Sequence, residues 1–225
     1  MKAGKVRKAA LLIASGAAAV FGAGCGSSGH ASEAGLRLQR EDLLAAARAL
    51  EQSSGETAAE TQATKTAWRY VANGLARSPS PAEEAAIAKA TRTAAALRLP
   101  SVFDESSASA LTGPAASISG SFRSFHGLVS RGWQMISYAL ARERDADRAQ
   151  AAFARANVAL YIESVYDGHF GLAQIGKKLL AGWEKLGGTG AFGASLPRAE
   201  VERLAGLYSE RSYRLHPHDG VKLGS

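Results

Sequence analysis

The chain is short of several things, and each shortage excludes something. It has one cysteine in 225 residues, so no internal disulfide framework holds it together. Aromatic residues make up only 7% and β-branched alternation is nearly absent, which argues against a sheet. Past the first 25 residues no apolar run approaches the roughly 20 residues that a membrane span takes. HExxH, CxxC and GxSxG are all missing, which removes the commonest metalloprotease, redox and hydrolase signatures. GxGxxG occurs twice, at Gly24-x-Gly26-x-x-Gly29 and Gly188-x-Gly190-x-x-Gly193, but neither copy follows a strand pattern. Gly171 to Lys178 approaches a phosphate-binding loop, yet Lys178 stands where Ser or Thr is needed and the segment reads as helix.

What is present points to helices. Alanine dominates the apolar set, and alanine is the strongest helix former. The net charge of +7 suggests nucleic acid until it is divided. Lys2, Lys5, Arg7 and Lys8 fall in the first eight residues, and the first acid is Glu33. Subtracting those four from +7 leaves +3, a weakly basic surface that excludes a phosphate-binding one.

Met1 to Lys8 is a basic segment, and Ala9 to about Phe21 is apolar but too short to span a bilayer. That is the order of an export signal peptide. Gly22-Ala23-Gly24-Cys25 follows, and Cys25 is the chain's lone cysteine. These residues resemble the lipobox of bacterial lipoproteins, with a departure at Gly22, where an aliphatic residue is usual. The resemblance covers the first 25 residues only. It implies removal of residues 1–24, lipidation of Cys25 with acyl chains such as palmitate, and anchoring of an exported protein to a bacterial membrane. A signal-peptidase cut after Ala23 or Ala31, releasing a secreted protein, is the alternative. Residues 25–32 then read as lipidated cysteine and flexible Gly/Ser tether, residues 33–214 as one bundle domain and residues 215–225 as a loose tail.

The mature part reads as an all-α, antiparallel bundle of about five or six helices. A first helix covers Glu33 to about Gln52, ended by Ser53-Ser54-Gly55. Thr57 and Glu60 then form a capping-box pattern that opens a second helix reaching about Arg77. Ser80-Pro81 with Glu83 is the clearest helix start, and Pro100 stops that helix. Residues 101–112 form an irregular link. Gly113-Pro114 starts a seam of Ile118, Phe122, Phe125, Val129, Gly132, Ile136 and Leu140. Arg148 to Leu186 is one long amphipathic helix at about 100° per residue, unbroken through Gly168. Its inward stripe takes in Leu160, Val165, Gly168, Gly171, Leu172, Ile175, Leu179 and Gly182, and the glycines call for a closely packed neighbour. Gly187 to Gly190 reads as a stop and loop, and Ser195-Leu196-Pro197 starts a last helix.

Chemistry-bearing residues are few. Glu163, Asp167 and His169 form the best metal candidate, but helix geometry turns His169 roughly 120° away from the two carboxylates. His126 on the preceding helix would pair with His169 around a haem or metal inside a bundle. His216-Pro217-His218-Asp219 lies in the tail, where nothing orients its rings. No cofactor is expected. The reading is a lipid-anchored, non-enzymatic binding or scaffold module, with the membrane and an envelope protein as partners and no nucleic acid. The alternative is a metal- or cofactor-binding bundle, redox or hydrolytic, that uses His126, His169, Glu163 and Asp167.

Overall fold

The computed structural model describes residues 32–74, 79–144 and 148–210; the leader, Cys25 and the histidines of the tail lie outside them. The described residues contain no strand. The fold is an all-α helical bundle. Its long helices are α1 (Glu33–Gly74), α2 (Pro81–Ala96), α4 (Gly113–Arg144), α5 (Arg148–Lys185) and α7 (Arg198–Glu210). Two short helices, α3 (Glu105–Ala108) and α6 (Gly188–Phe192), sit in the connections.

Helix α1 corrects the sequence reading. Ser53-Ser54-Gly55 does not break it, and the helix runs 42 residues without interruption. Two hydroxyls here find acceptors inside the helix: Ser53 donates to the Ala49 carbonyl at 2.8 Å and Thr57 to that of Ser53 at 2.7 Å. A hydroxyl satisfied one turn back has no need to cap, so the Thr57–Glu60 pattern is not a helix start. At Ser80 the same pattern is a true cap. The Ser80 amide donates to Glu83 Oε2 at 2.6 Å, Glu83's amide donates back to the Ser80 hydroxyl, and Pro81 opens α2.

Helices α4 and α5 form the tightest pair. Gly132 lies against Val165, Gly168 against Val129 and Phe125, Gly171 against Ser121, and Gly182 against Pro114. Residue numbers rise on one helix as they fall on the other, so the pair is antiparallel. A Cβ at Gly168 would sit 2.6 Å from Val129 Cγ2. The glycine stripe foreseen on α5 therefore admits α4, and the helix continues through Gly168. Ser130 and His126 of α4 reach the carbonyls of Ala94 and Leu97 on α2, again antiparallel. Arg40 near the start of α1 reaches the Leu186 carbonyl after the end of α5. The result is an up-down-up-down set of α1, α2, α4 and α5, with α7 laid along α5 and α1.

The core runs the length of this set through Leu43, Leu50, Phe122, Phe125, Trp133, Ile136, Leu172 and Leu179. Phe103, from the 3-10 turn Ser101–Phe103, plugs one side against Phe122. Tyr208 of α7 donates to the Leu50 carbonyl at 2.7 Å. Two further corrections concern α5 and its end. Leu160 is 66% exposed and lies off the buried stripe, while Val158, Ile162, His169 and Trp183 are buried on the opposite flank. That flank is covered by α1 and α7, so the buried arc is wider on that side. Gly187, at φ +108°, ends α5, and the following residues coil into α6 rather than an open loop.

Candidate functional site

The middle of α1 turns polar groups inward. Ser53, Thr57, Glu60, Thr61 and Thr64 are all buried, in phase with Leu50 above and Ala67 below. Glu60 and Thr64 are one turn apart, so their side chains share a face. The Thr64 hydroxyl lies 2.5 Å from Glu60 Oε1, and Trp133 of α4 approaches that hydroxyl with its indole nitrogen at 2.8 Å. His169 of α5 places Nε2 3.3 Å from Glu60 Oε1. Phe125 closes the site with its ring edge-on to the imidazole, centroids 5.5 Å apart.

Hydrogen-bond directions follow from the donor inventory. An indole N–H only donates, so Trp133 donates to Thr64 Oγ1. The Thr64 proton is then given to Glu60 Oε1, which accepts it. His169 Nε2 meets the same oxygen, with the donor and acceptor roles set by the tautomer of the imidazole. The site is a directed relay, Trp133 to Thr64 to Glu60, met from the far side by His169. Two of its atoms, Glu60 Oε2 and His169 Nδ1, are buried without a hydrogen-bond partner among the described residues. Glu60 is 0% and His169 1% exposed, so the carboxyl and the imidazole are sealed from solvent.

The other candidates lie apart from this cluster. Glu163 and Asp167 are exposed on the outer face of α5. His126 sits half-buried, its Nε2 3.1 Å from the Leu97 carbonyl at the end of α2. His126 faces α2 and His169 faces α1, so the two histidines are not brought together. Of the four residues, only His169 enters the polar core. Among the described residues no group of three or more His, Cys, Asp or Glu side chains stands close enough to hold a metal ion. Glu60 and His169 supply two ligand types, where zinc usually takes three or four from protein.

No family model, no curated protein and no solved structure matches the chain. The residues themselves therefore carry the functional argument. Glu60 escaped the sequence reading as a buried residue because Thr57-x-x-Glu60 imitates a capping box. The signal that would have found it is the unbroken helical phase of Leu43, Ala46, Leu50, Ser53, Thr57, Glu60, Thr64 and Ala67. A shallow groove of about 400 Å³ also lies between the start of α2 and the end of α4, with Pro81, Ile87 and Leu140 in its lining.

Proposed function

We propose that this chain is an exported, lipid-anchored helical module that works by binding an envelope partner, without catalysis of its own. The observation that carries the reading is the position of Cys25. It follows a basic segment, an apolar segment and three small residues, and it is the only cysteine. The folded unit begins at Ser32, whose hydroxyl accepts the Gly35 amide at 3.1 Å at the start of α1. Only residues 26–31 separate that cap from Cys25, a reach of at most about 25 Å. A thiol takes diacylglycerol by thioether formation, and two or more acyl chains hold a protein stably on a bilayer. No helix among the described residues is long and apolar enough to cross a membrane, so a membrane attachment would fall to the lipid or the leader.

The test is labelling of producing cells with tritiated palmitate, followed by fractionation. The wild type is expected in the membrane fraction and labelled. Cys25→Ser is expected unlabelled, and either released or retained as precursor. Soluble, unlabelled wild-type protein in the medium overturns the anchor.

The metal- or cofactor-binding reading is supported by one observation, the unpartnered Glu60 Oε2 and His169 Nδ1 in a sealed core. It would be centred on those two residues rather than on Glu163 and Asp167. Metal content and the absorption spectrum of the purified full chain test it. A metal-free, colourless and folded protein rejects it.

A further inference from the structure

Helix α5 has an outer face that no described element covers. Leu160, Glu163, Asp167, Phe170 and Lys177 are all exposed there, Phe170 by 57%. Their spacings of three, four and seven place them on one stripe. Among the described residues, Glu163, Asp167 and Lys177 have no ion-pair partner. Charge is ordered along the stripe: two acids, then Phe170, then the base.

That order selects an occupant. A partner surface of a single sign would match one half of the stripe and repel the other. A parallel copy of the helix would set acid beside acid. An antiparallel copy, turned about an axis at Phe170, sets Glu163 of each copy against Lys177 of the other and leaves Asp167 beside the uncharged Ala173. Glu163 and Lys177 each lie seven residues, about two turns, from Phe170, so each faces the other's counterpart across that axis. We infer that the outer face of α5 pairs with the same face of a second copy of this chain, antiparallel, about a two-fold axis at Phe170.

The contact is small. From Leu160 to Lys177 the stripe is about 26 Å long. At about one helix width it covers some 250 Å² per partner, well under the roughly 800 Å² of a standard interface. The pairing is therefore weak and transient, and it gains from confinement of both copies to one surface. The pairing itself does not depend on the lipid, so it stands or falls separately from the anchor.

The test is disulfide trapping of the full chain in the producing cells, with mild oxidation and a non-reducing gel. Phe170→Cys sits at the axis and is expected to give a linked homodimer. Its yield should exceed by about fivefold that of Arg131→Cys on the exposed face of α4, for a weak pairing of this kind. The wild type, with Cys25 alone, sets the baseline. Adding Lys177→Glu should cut the Phe170→Cys yield about tenfold, because two symmetric attractions become repulsions. Adding Glu163→Lys to that variant should restore most of it. Equal yields from Phe170→Cys and Arg131→Cys overturn the inference, and so does a linked product whose mass is not twice the chain's. An unchanged yield with Lys177→Glu overturns the charge register and the inference with it.

Discussion

Glu60 and His169 are 109 residues apart in the chain and 3.3 Å apart in space, inside a core built mainly of aliphatic and aromatic side chains. Their meeting joins the first long helix to the fourth at a level where neither reaches water. Taking a carboxyl and an imidazole out of solvent costs several kcal/mol, and the contact offsets it only while both partners are present.

Removing one partner should therefore be worse than removing both. Glu60→Ala or His169→Ala alone is expected to lower unfolding stability by about 3 kcal/mol. The apolar pair Glu60→Met with His169→Leu should come within about 1 kcal/mol of the wild type. Urea unfolding followed by circular dichroism measures all three. Single variants within about 0.5 kcal/mol of the wild type would show the pair to be energetically idle.

Thr64→Val keeps the shape of the side chain and removes the middle of the relay. The Trp133 indole N–H would lose its acceptor and Glu60 Oε1 a donor, at a cost of about 1–3 kcal/mol. The change in tryptophan emission on unfolding, compared with the wild type, provides the readout. An unchanged midpoint would contradict the relay.

Glycines on α4 and α5 should respond with opposite signs. Gly120 and Gly127 face open space, so Gly120→Ala and Gly127→Ala should each stabilise by about 0.5–1 kcal/mol through helix propensity. Gly168→Ala would press its Cβ on Val129, and Gly176→Ala on the Ala205 carbonyl oxygen. There overpacking, about 1–3 kcal/mol, outweighs the propensity gain. Thermal unfolding of the four variants decides it, and equal shifts in one direction would refute the packing account.

Asp104 caps α3 through the Ser107 amide, 2.8 Å from its carboxyl oxygen, and that bond with the Ser106 hydroxyl holds its pKa below the ordinary carboxylate value. A depressed folded pKa means that the unfolded chain takes up its proton first as pH falls. The contribution is whole above the usual carboxylate range and is lost on acidification through the lower folded value. The stability gap between wild type and Asp104→Asn should thus be constant near neutrality and close below about pH 4. A gap that widens in acid would reverse the sign and sink the assignment.

Much of the frame was legible because it is local. Ser80, Pro81 and Glu83 specify a helix start by themselves, and Gly113 and Gly187 mark ends that the structure keeps. The phase of α5 survived Gly168 because the buried residues on both sides share one arc. The site was less legible for a physical reason. Glu60 and Thr57 satisfy a local rule for caps, whereas their burial depends on α4 and α5, more than 60 residues away in the chain. His169 was legible only as a partner for His126 or for the two carboxylates of its own helix, because its actual neighbours, Glu60 and Phe125, come from α1 and α4. Leu160 shows the reverse case: its phase suited the core, but no helix covers that edge of α5.

The interlocked glycines of α4 and α5 also limit how the molecule can change shape. Gly132, Gly168, Gly171 and Gly182 each receive a different feature of the opposite helix, at intervals along the whole seam. Sliding α5 by one turn would drive a side chain into each of those gaps at once. A piston stroke along this seam is thereby barred, and closely packed elements of this kind switch between discrete arrangements or not at all. Whatever a partner does at one end of the hairpin reaches the other as a tilt or rotation of α4 and α5 together. A pair of distance probes, one on each helix, should report a fixed separation while the hairpin turns against α1.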